Sequence, residues 1–597
     1  MSAKRSIILS VDLGTTHSGA AYAFRGDRNP FSNIQVIRNW VHGDRGEKVP
    51  TKIRYINAST EPARPRGTKR LASGEHVHDQ HVQDTYRAAW GYEAGDGPDM
   101  VQYVKYLFGP PAEIPEGILW DDITTLLEKF GKTPRDAVVD YLIKLREHIY
   151  KVVLDEFGPE FMATTEIEWI LTVPAIWSDD ARYATLMAAE SAGIGKTVDR
   201  SNDTITMITE PEAAAHFAYN LMEMRNINVG DIAIVCDVGG GTIDLITFEI
   251  TSLEPLRLKE CVGGTGGLCG SALLNAGFQE HVERCMGGKE NFKDFTKRVP
   301  YAWPICMKEF ENSTKKYFHP DNGAVSILFP GIDIAGMEPN YILLTPEDLQ
   351  RIFERVINPT VDLVQDQYDA IRQMGKYPRG IILVGGFGQN DYLKEVLENK
   401  FESADPEHPC EVTRPLGGWS AVSQGAVIHA LTNDTLVQSR IARHHYGVLV
   451  RQPYNKKIHT EKYVVTDEFD GKNWVDNQIE WHIHTGQTIT AGSPIKINQY
   501  LVSESKNLLV SESATIIVSD EVEAPKEFNS TDLTRILCTI ESSLENVERE
   551  DWKTYRRKGE KKHSALHHTI EMSLDSELSF QFCIGDRVLG KTTVAYE

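Results

Sequence analysis

Two short glycine-threonine turns, far apart in the chain, share one plan. Val11-Asp12-Leu13-Gly14-Thr15-Thr16 and Cys236-Asp237-Val238-Gly239-Gly240-Gly241-Thr242 each close an apolar run with Asp, turn through glycine and threonine, and lead into a second apolar run. A chain that repeats such a hairpin is expected to fold as two similar α/β halves facing each other across a cleft. Glycines let backbone N–H groups converge on an anion, and Thr15, Thr16 and Thr242 add hydroxyl donors. A carboxylate beside a phosphate cradle repels it unless a cation lies between, so Asp12 and Asp237 predict Mg²⁺, an ion commonly shared between carboxylates and phosphates. The pair therefore reads as a clamp for a magnesium nucleotide. One hairpin alone reads equally well as a tight turn that uses Asp and Gly for its geometry.

Around these turns, strand and helix patterns alternate up to about residue 430. Thr133-Pro134-Arg135-Asp136 has the cap, first-turn proline and acid of a helix start, followed by Val138, Val139, Leu142, Leu145, Ile149 and Val152 at helical spacing. Ser178-Asp179-Asp180 and Thr345-Pro346-Glu347-Asp348 start further helices, while Glu168 to Val173, Ile232 to Cys236, Ile243 to Ile250 and Ile381 to Val384 read as strands. Such alternation predicts α/β layers around a buried sheet. From Tyr446 onward β-branched and aromatic runs separated by polar turns dominate, for example Ile479 to Ile483, Ile495 to Val502 and Ala514 to Val518, and predict an antiparallel β region. The expected division is an α/β region over 1–435, with halves of about 1–205 and 206–435, a linker over 436–446, and a smaller β-rich region over 447–597.

Charge and cysteine usage bound the setting. With 63 Lys+Arg against 85 Asp+Glu, the net charge of −22 argues against nucleic acid or an anionic membrane as the main partner. No run approaches the roughly 18 apolar residues of a spanning helix, and Ser10 and Asp12 interrupt the N-terminal apolar stretch too early for an export signal. Eight scattered cysteines without a CxxC pair predict reduced thiols and a cytoplasmic protein.

Several tempting patterns fail on their own terms. Gly195-Lys196-Thr197 lacks the earlier glycine of a P-loop, because Glu190 stands there, and it follows a helix instead of opening one. In Gly263 to Gly270, Cys269 takes the last glycine position of a dinucleotide fingerprint. His76, His78 and His81 read as a polar loop more readily than as a metal site, and the basic run Arg556 to Lys562 is diluted by nearby Glu548, Glu550, Asp551 and Glu560.

The motifs together resemble the seventy-kilodalton heat-shock (DnaK-type) chaperone family. Asp12 to Thr16 is similar to its first phosphate loop, Asp237 to Asp244 to its second, and Thr209-Glu210-Pro211-Glu212-Ala213-Ala214-Ala215 to its connecting segment. Val173-Pro174-Ala175 is similar to the stretch before that segment, Leu383 to Gly388 to the adenosine motif, and Gly425-Ala426-Val427 to the second connecting segment. The likeness runs in order over about residues 5–432. It implies an actin-like ATPase region of two lobes built on a duplicated ribonuclease H-like fold, followed by a β-sandwich peptide-binding region.

The resemblance also implies roles. Asp12 and Asp237 would hold Mg²⁺, and Gly14, Thr15, Thr16, Gly239, Gly240, Gly241 and Thr242 would cradle the phosphates of ATP or ADP. Lys105, in Val104-Lys105-Tyr106-Leu107-Phe108-Gly109, aligns with the family's catalytic lysine; without the resemblance it is an ordinary solvated lysine. Glu210 would act through water on the metal or the nucleophile, although Glu before Pro is also a good helix start. Gly385, Gly386 and Phe387 would line the adenosine pocket, with Glu311 and Lys315 as further nucleoside contacts. A protein or peptide client, and a co-chaperone or exchange factor, are the partners implied.

Departures from the pattern matter as much. The spacing around Glu311, Lys315 and Lys316 is off by about one residue, Phe387 and His17 replace other residue types, and Trp419 stands where the family carries an acid. Gln438 to His445 replaces the acidic, leucine-rich linker, and no long amphipathic helical stretch follows Ile483-His484-Thr485-Gly486-Gln487-Thr488-Ile489 before Glu597, so no helical lid is expected. The expected function is a weak ATPase whose lobe closure alters client affinity. The alternatives are a scaffold that binds ATP without hydrolysing it, and a small-molecule kinase on the actin-like plan.

Overall fold

The computed structural model describes residues 6–593 apart from 28–30, 44–45, 58–85, 98, 109–119, 222–226, 404, 433–435, 460, 468–470, 505–509, 529–532, 556–562 and 575–577. The candidate cluster His76, His78 and His81 and the basic run from Arg556 to Lys562 lie outside the described residues.

Two sheets repeat one arrangement. In the first, strand Ser6–Asp12 turns into antiparallel strand His17–Arg25 and carries parallel strand Glu166–Val173 on its other side. In the second, strand Ile232–Val238 turns into antiparallel strand Ile243–Leu253 and carries parallel strand Gly380–Val384. The first strand of each hairpin is buried at every position, as expected where both faces of a sheet are covered. Helix Pro134–Phe157 covers the first sheet. It opens with a capping box in which Thr133 Oγ1 accepts the Asp136 N–H at 3.2 Å and Asp136 Oδ2 accepts the Thr133 N–H at 2.8 Å, a device worth about 1 kcal/mol. Thr345 and Asp348 repeat it at the start of helix Pro346–Gln373, which covers the second.

One apolar layer joins the two sheets. Ile8, Ala21 and Ile170 of the first and Ala233, Val235 and Val384 of the second share a core with Ala213, Phe217, Val422 and Ala426 of two intervening helices. Those helices, Glu210–Leu221 and Ala421–Leu431, cross where a Cβ on Gly425 would lie 1.7 Å from the Ala213 carbonyl oxygen. Only glycine permits that approach.

Residues 436–446, expected as a linker, are ordered chain. Strand Val437–Ile441 runs beside strand Leu256–Gly267 of the second sheet and pairs on its other side with Thr488–Thr490, and strand His445–Pro453 begins four residues later. Long-range partners order it: Glu260 accepts the Ile441 N–H at 2.9 Å, and Val437 is buried in the apolar layer between the sheets. Beyond it, antiparallel strands Asn473–Ile483, His445–Pro453, Ser511–Ser519 and Arg535–Ser543 form one sheet, while Ile495–Glu504, His563–Leu574, Leu578–Ile584 and Arg587–Thr593 form another. Tyr446, Ile516 and Ile540 from the former and Leu566, Ile570, Phe580 and Phe582 from the latter share one apolar core.

Candidate functional site

The aspartates singled out from sequence sit at the ends of the first strands, Asp12 as the last residue of one and Asp237 as the last but one of the other. Asp12 is level with Gly19 and Thr172, and Asp237 with Asp244 and Val384. The turns meet face to face. A Cβ built on Gly240 would lie 2.2 Å from Thr16 Oγ1, and one on Gly241 would lie 2.1 Å from Thr15 Oγ1. A Cβ on Gly14 would lie 2.1 Å from the His17 carbonyl oxygen, and one on Gly385 would strike Asp237 Oδ1. Gly239 donates to the Thr242 carbonyl at 3.0 Å, closing the second turn.

The glycine-rich run that failed as a dinucleotide motif has a structural task here. Gly270, Ser271 and Ala272 donate backbone N–H groups to the carbonyls of Gly241, Gly239 and Gly240 at 2.9, 3.1 and 2.7 Å, bracing the second turn from behind. Tyr106 adds a bond from its hydroxyl to the Gly241 carbonyl at 2.8 Å.

Charged side chains converge beside these turns, and all of them are buried: Asp12, Lys48, Lys105, Glu210, Asp237 and Asp244. Lys105 is paired with Glu210 and lies over the Trp177 ring at 5.4 Å. Burial of the Glu210 carboxyl pushes its pKa up, against the pull of Lys105. Burial likewise raises the pKa of Asp237 to about 7 and lifts that of Asp244, which accepts the Ala175 N–H at 2.7 Å and so ties the first half to the second hairpin. Such groups favour a cation in their midst. An all-oxygen donor set of two buried aspartates suits a hard divalent ion, and the abutting glycine turns leave no room for side chains where phosphates would lie; the residues fit a magnesium nucleotide.

Sequence reading missed Lys48. Its Nζ stands 2.7 Å from Asp12 Oδ2, and although burial alone would lower its pKa, Asp12 holds that pKa above its ordinary value. No motif marks this residue; only the pairing of Gly19 with Lys48 across two strands brings it in.

The nucleoside candidates divide. Glu311 accepts from Asn275 Nδ2 at 2.7 Å and Lys315 donates to Asn275 Oδ1 at 3.1 Å, so these two do come together. Both act electrostatically on His17, whose ring meets Trp419 edge-on at 6.1 Å and whose pKa burial lowers to about 4. A Cβ on Gly386 would lie 3.6 Å from Trp419 Nε1. The Phe387 ring packs in the apolar core of the second sheet, its centroid 6.1 Å from that of Phe353.

A second buried cluster lies behind the cleft. Glu212, His216 and His429 present ligating atoms within 4.8 Å of one another, but Arg440 already stands 2.5 Å from Glu212 Oε1. His216 Nε2 and His429 Nδ1 are 3.3 Å apart, and burial holds the pKa of His216 well below its ordinary value. A divalent ion beside Arg440 would add buried positive charge next to the cation that already pairs with Glu212. The cluster is an ion pair next to two histidines in contact, with His216 kept neutral by burial.

This geometry sets two glycine-threonine turns, one from each of two similarly arranged α/β sheets, face to face beside buried carboxylates. The Hsp70 protein family model matches residues 156–254, which include Glu210 and the whole second hairpin. A domain of unknown function, DUF8568, matches residues 440–585. Heat shock 70 kDa protein 12A of Homo sapiens is 23% identical over 84% of this chain and 80% of its own length. The human heat shock 70 kDa protein 12B is 23% identical over 82% of this chain and 78% of its own. A mitochondrial-type heat shock protein 70 of Encephalitozoon hellem is 24% identical over 72% of this chain and 65% of its own length. The chain is a divergent Hsp70-like protein. At family level this implies an actin-like ATPase fold, with which the mixed α/β sheets agree, and the use of nucleotide and Mg²⁺. Among the described residues, no helix is long and apolar enough to cross a membrane.

Proposed function

We propose that the chain is a nucleotide-driven switch: a slow, chaperone-like ATPase whose two lobes, about 1–205 and 206–435, close on ATP and alter how the β-rich region over 447–597 holds a protein client. The observation that carries this reading is the contact of Gly240 and Gly241 with Thr16 and Thr15, beside buried Asp12 and Asp237. Asp12 and Asp237 would hold Mg²⁺, which when bound neutralises phosphate charge. Thr15, Thr16, Thr242 and the backbone of Gly14 and Gly239 to Gly241 would bind the phosphates. Lys105 would orient water for in-line attack on the γ-phosphate and offset the charge that develops. Glu210 holds Lys105 in place.

A mechanical link supports the coupling. Helix Glu210–Leu221 starts at the Lys105 partner and carries Glu212, which binds Arg440 on strand Val437–Ile441. That strand pairs with Thr488–Thr490, so a shift of the helix is passed to the β-rich region. Calorimetric titration with ATP and ADP, with and without Mg²⁺, followed by limited proteolysis, tests the proposal. Nucleotide-specific protection near residues 436–446 is expected; binding without any change in cleavage would remove the coupling.

A second reading, an ATP-binding scaffold without turnover, is favoured by one observation: Lys105 and Asp12 are already satisfied by Glu210 and Lys48. Phosphate release under single-turnover conditions separates the two.

A further inference from the structure

Lys48 is built into the cleft with some care. It sits on strand Lys48–Pro50, opposite Gly19, and its Cγ and Cε lie 3.3 and 3.4 Å from where a Gly19 side chain would begin. The missing side chain is what lets the lysine stem cross the strand and place Nζ 2.7 Å from Asp12 Oδ2. The lysine is 8% exposed, and its backbone carbonyl accepts the Tyr92 hydroxyl at 3.3 Å.

The charges around it do not cancel. Asp12, Glu210, Asp237 and Asp244 face Lys48 and Lys105, and Lys105 is committed to Glu210. Asp12, the carboxylate read as one half of the metal site, is thus already paired with a cation of the chain's own. An ammonium on a flexible stem can turn from a carboxylate to a phosphate oxygen as a point charge. A divalent ion entering the site must compete with it.

We propose that Lys48 is a resident counter-ion of the cleft, a positioning residue that holds Asp12 in the absence of metal and lets this chain bind nucleoside diphosphate with little dependence on Mg²⁺. The inference rests on the nucleotide reading of the cleft given above. Its signature is a ratio, the affinity for ADP with Mg²⁺ over that in EDTA, which general damage to the fold does not move in one direction.

The test is calorimetric titration of the full chain with ADP in Mg²⁺ and in EDTA, for wild type and Lys48→Met. Wild type is expected to lose less than about tenfold in EDTA, and Lys48→Met to lose about 100-fold or more, recovering most of it when Mg²⁺ is added. Equal ratios in the two proteins would overturn the proposal. So would a wild-type loss of about 100-fold in EDTA, a result that needs no variant and stands even if Lys48→Met does not fold. Wild type that binds ADP in neither buffer would instead defeat the nucleotide reading itself.

Discussion

Gly241 and Thr15 belong to opposite halves of the chain, yet a Cβ on the glycine would lie 2.1 Å from the threonine hydroxyl. The two turns are fitted to each other at the level of single atoms. Close glycine turns of this kind let backbone N–H groups approach an anion.

Gly241→Ala therefore tests the clamp. The added methyl would meet Thr15 Oγ1, Cβ and Cγ2 at 2.1, 2.6 and 2.9 Å. Affinity for ADP measured by calorimetry should fall at least about tenfold, roughly 1.4 kcal/mol, while the melt of the nucleotide-free chain changes little by comparison.

Lys105 is 2% exposed and paired, where the sequence alone read a solvated side chain. Lys105→Ala should lower single-turnover phosphate release about 100-fold and leave ADP affinity within a few-fold, the pattern of an interaction made chiefly in the transition state. Unchanged release would take Lys105 out of the chemistry.

Arg440 and Glu212 form a buried pair across the apolar layer. Arg440→Met leaves Glu212 uncompensated, and a loss of about 3–5 kcal/mol is expected from denaturant melts. Glu212→Gln combined with Arg440→Met should recover much of it, because the pair rather than either residue is what the interior tolerates.

Gly425→Ala places a methyl 1.7 Å from the Ala213 carbonyl oxygen, with helix backbone on both sides. Neither helix can yield cheaply, so about 3 kcal/mol of destabilisation is expected. Since these helices join the two halves, nucleotide affinity should fall with it, read by the same calorimetry.

His568 is buried against the Phe582 ring at 4.3 Å, and burial lowers its pKa to about 4. The unfolded chain takes up a proton here near pH 6.5 and the folded chain does not. Stability should therefore be full above pH 6.5, decline as pH falls towards 4, and level off below. His568→Phe should flatten that decline in thermal melts between pH 7 and pH 4.

Several features were legible before any fold was known. The paired turns, the helix starts at Thr133 and Thr345, and the change to β texture near Tyr446 are written in local patterns of glycine, caps and alternation. Gly425 and Ala213 were each placed in connecting segments by resemblance, but their contact is a property of two helices crossing. Phe387 was read as a pocket residue by resemblance of its motif; its packing near Phe353 joins residues distant in sequence.

Residues 436–446 were read as linker because Gln438 to His445 stands where the resembled family joins its two regions. Their order comes from long-range partners: Glu260 for the Ile441 amide and Arg443, Glu212 for Arg440, and Thr488–Thr490 as a neighbouring strand. No window of local sequence contains those acids.

Taken by itself, the amino-acid order determined the elements and the two glycine-threonine turns, because turn geometry and capping depend on residues within a few positions of each other. Tertiary structure alone decided which charges meet. Lys48 reaches Asp12 because Gly19 leaves a gap on the neighbouring strand, and Lys105 is buried because Glu210 awaits it at the head of a helix from elsewhere in the chain. Buried charge is stable only where an opposite charge arrives with it, and that arrival is set by folding across distance.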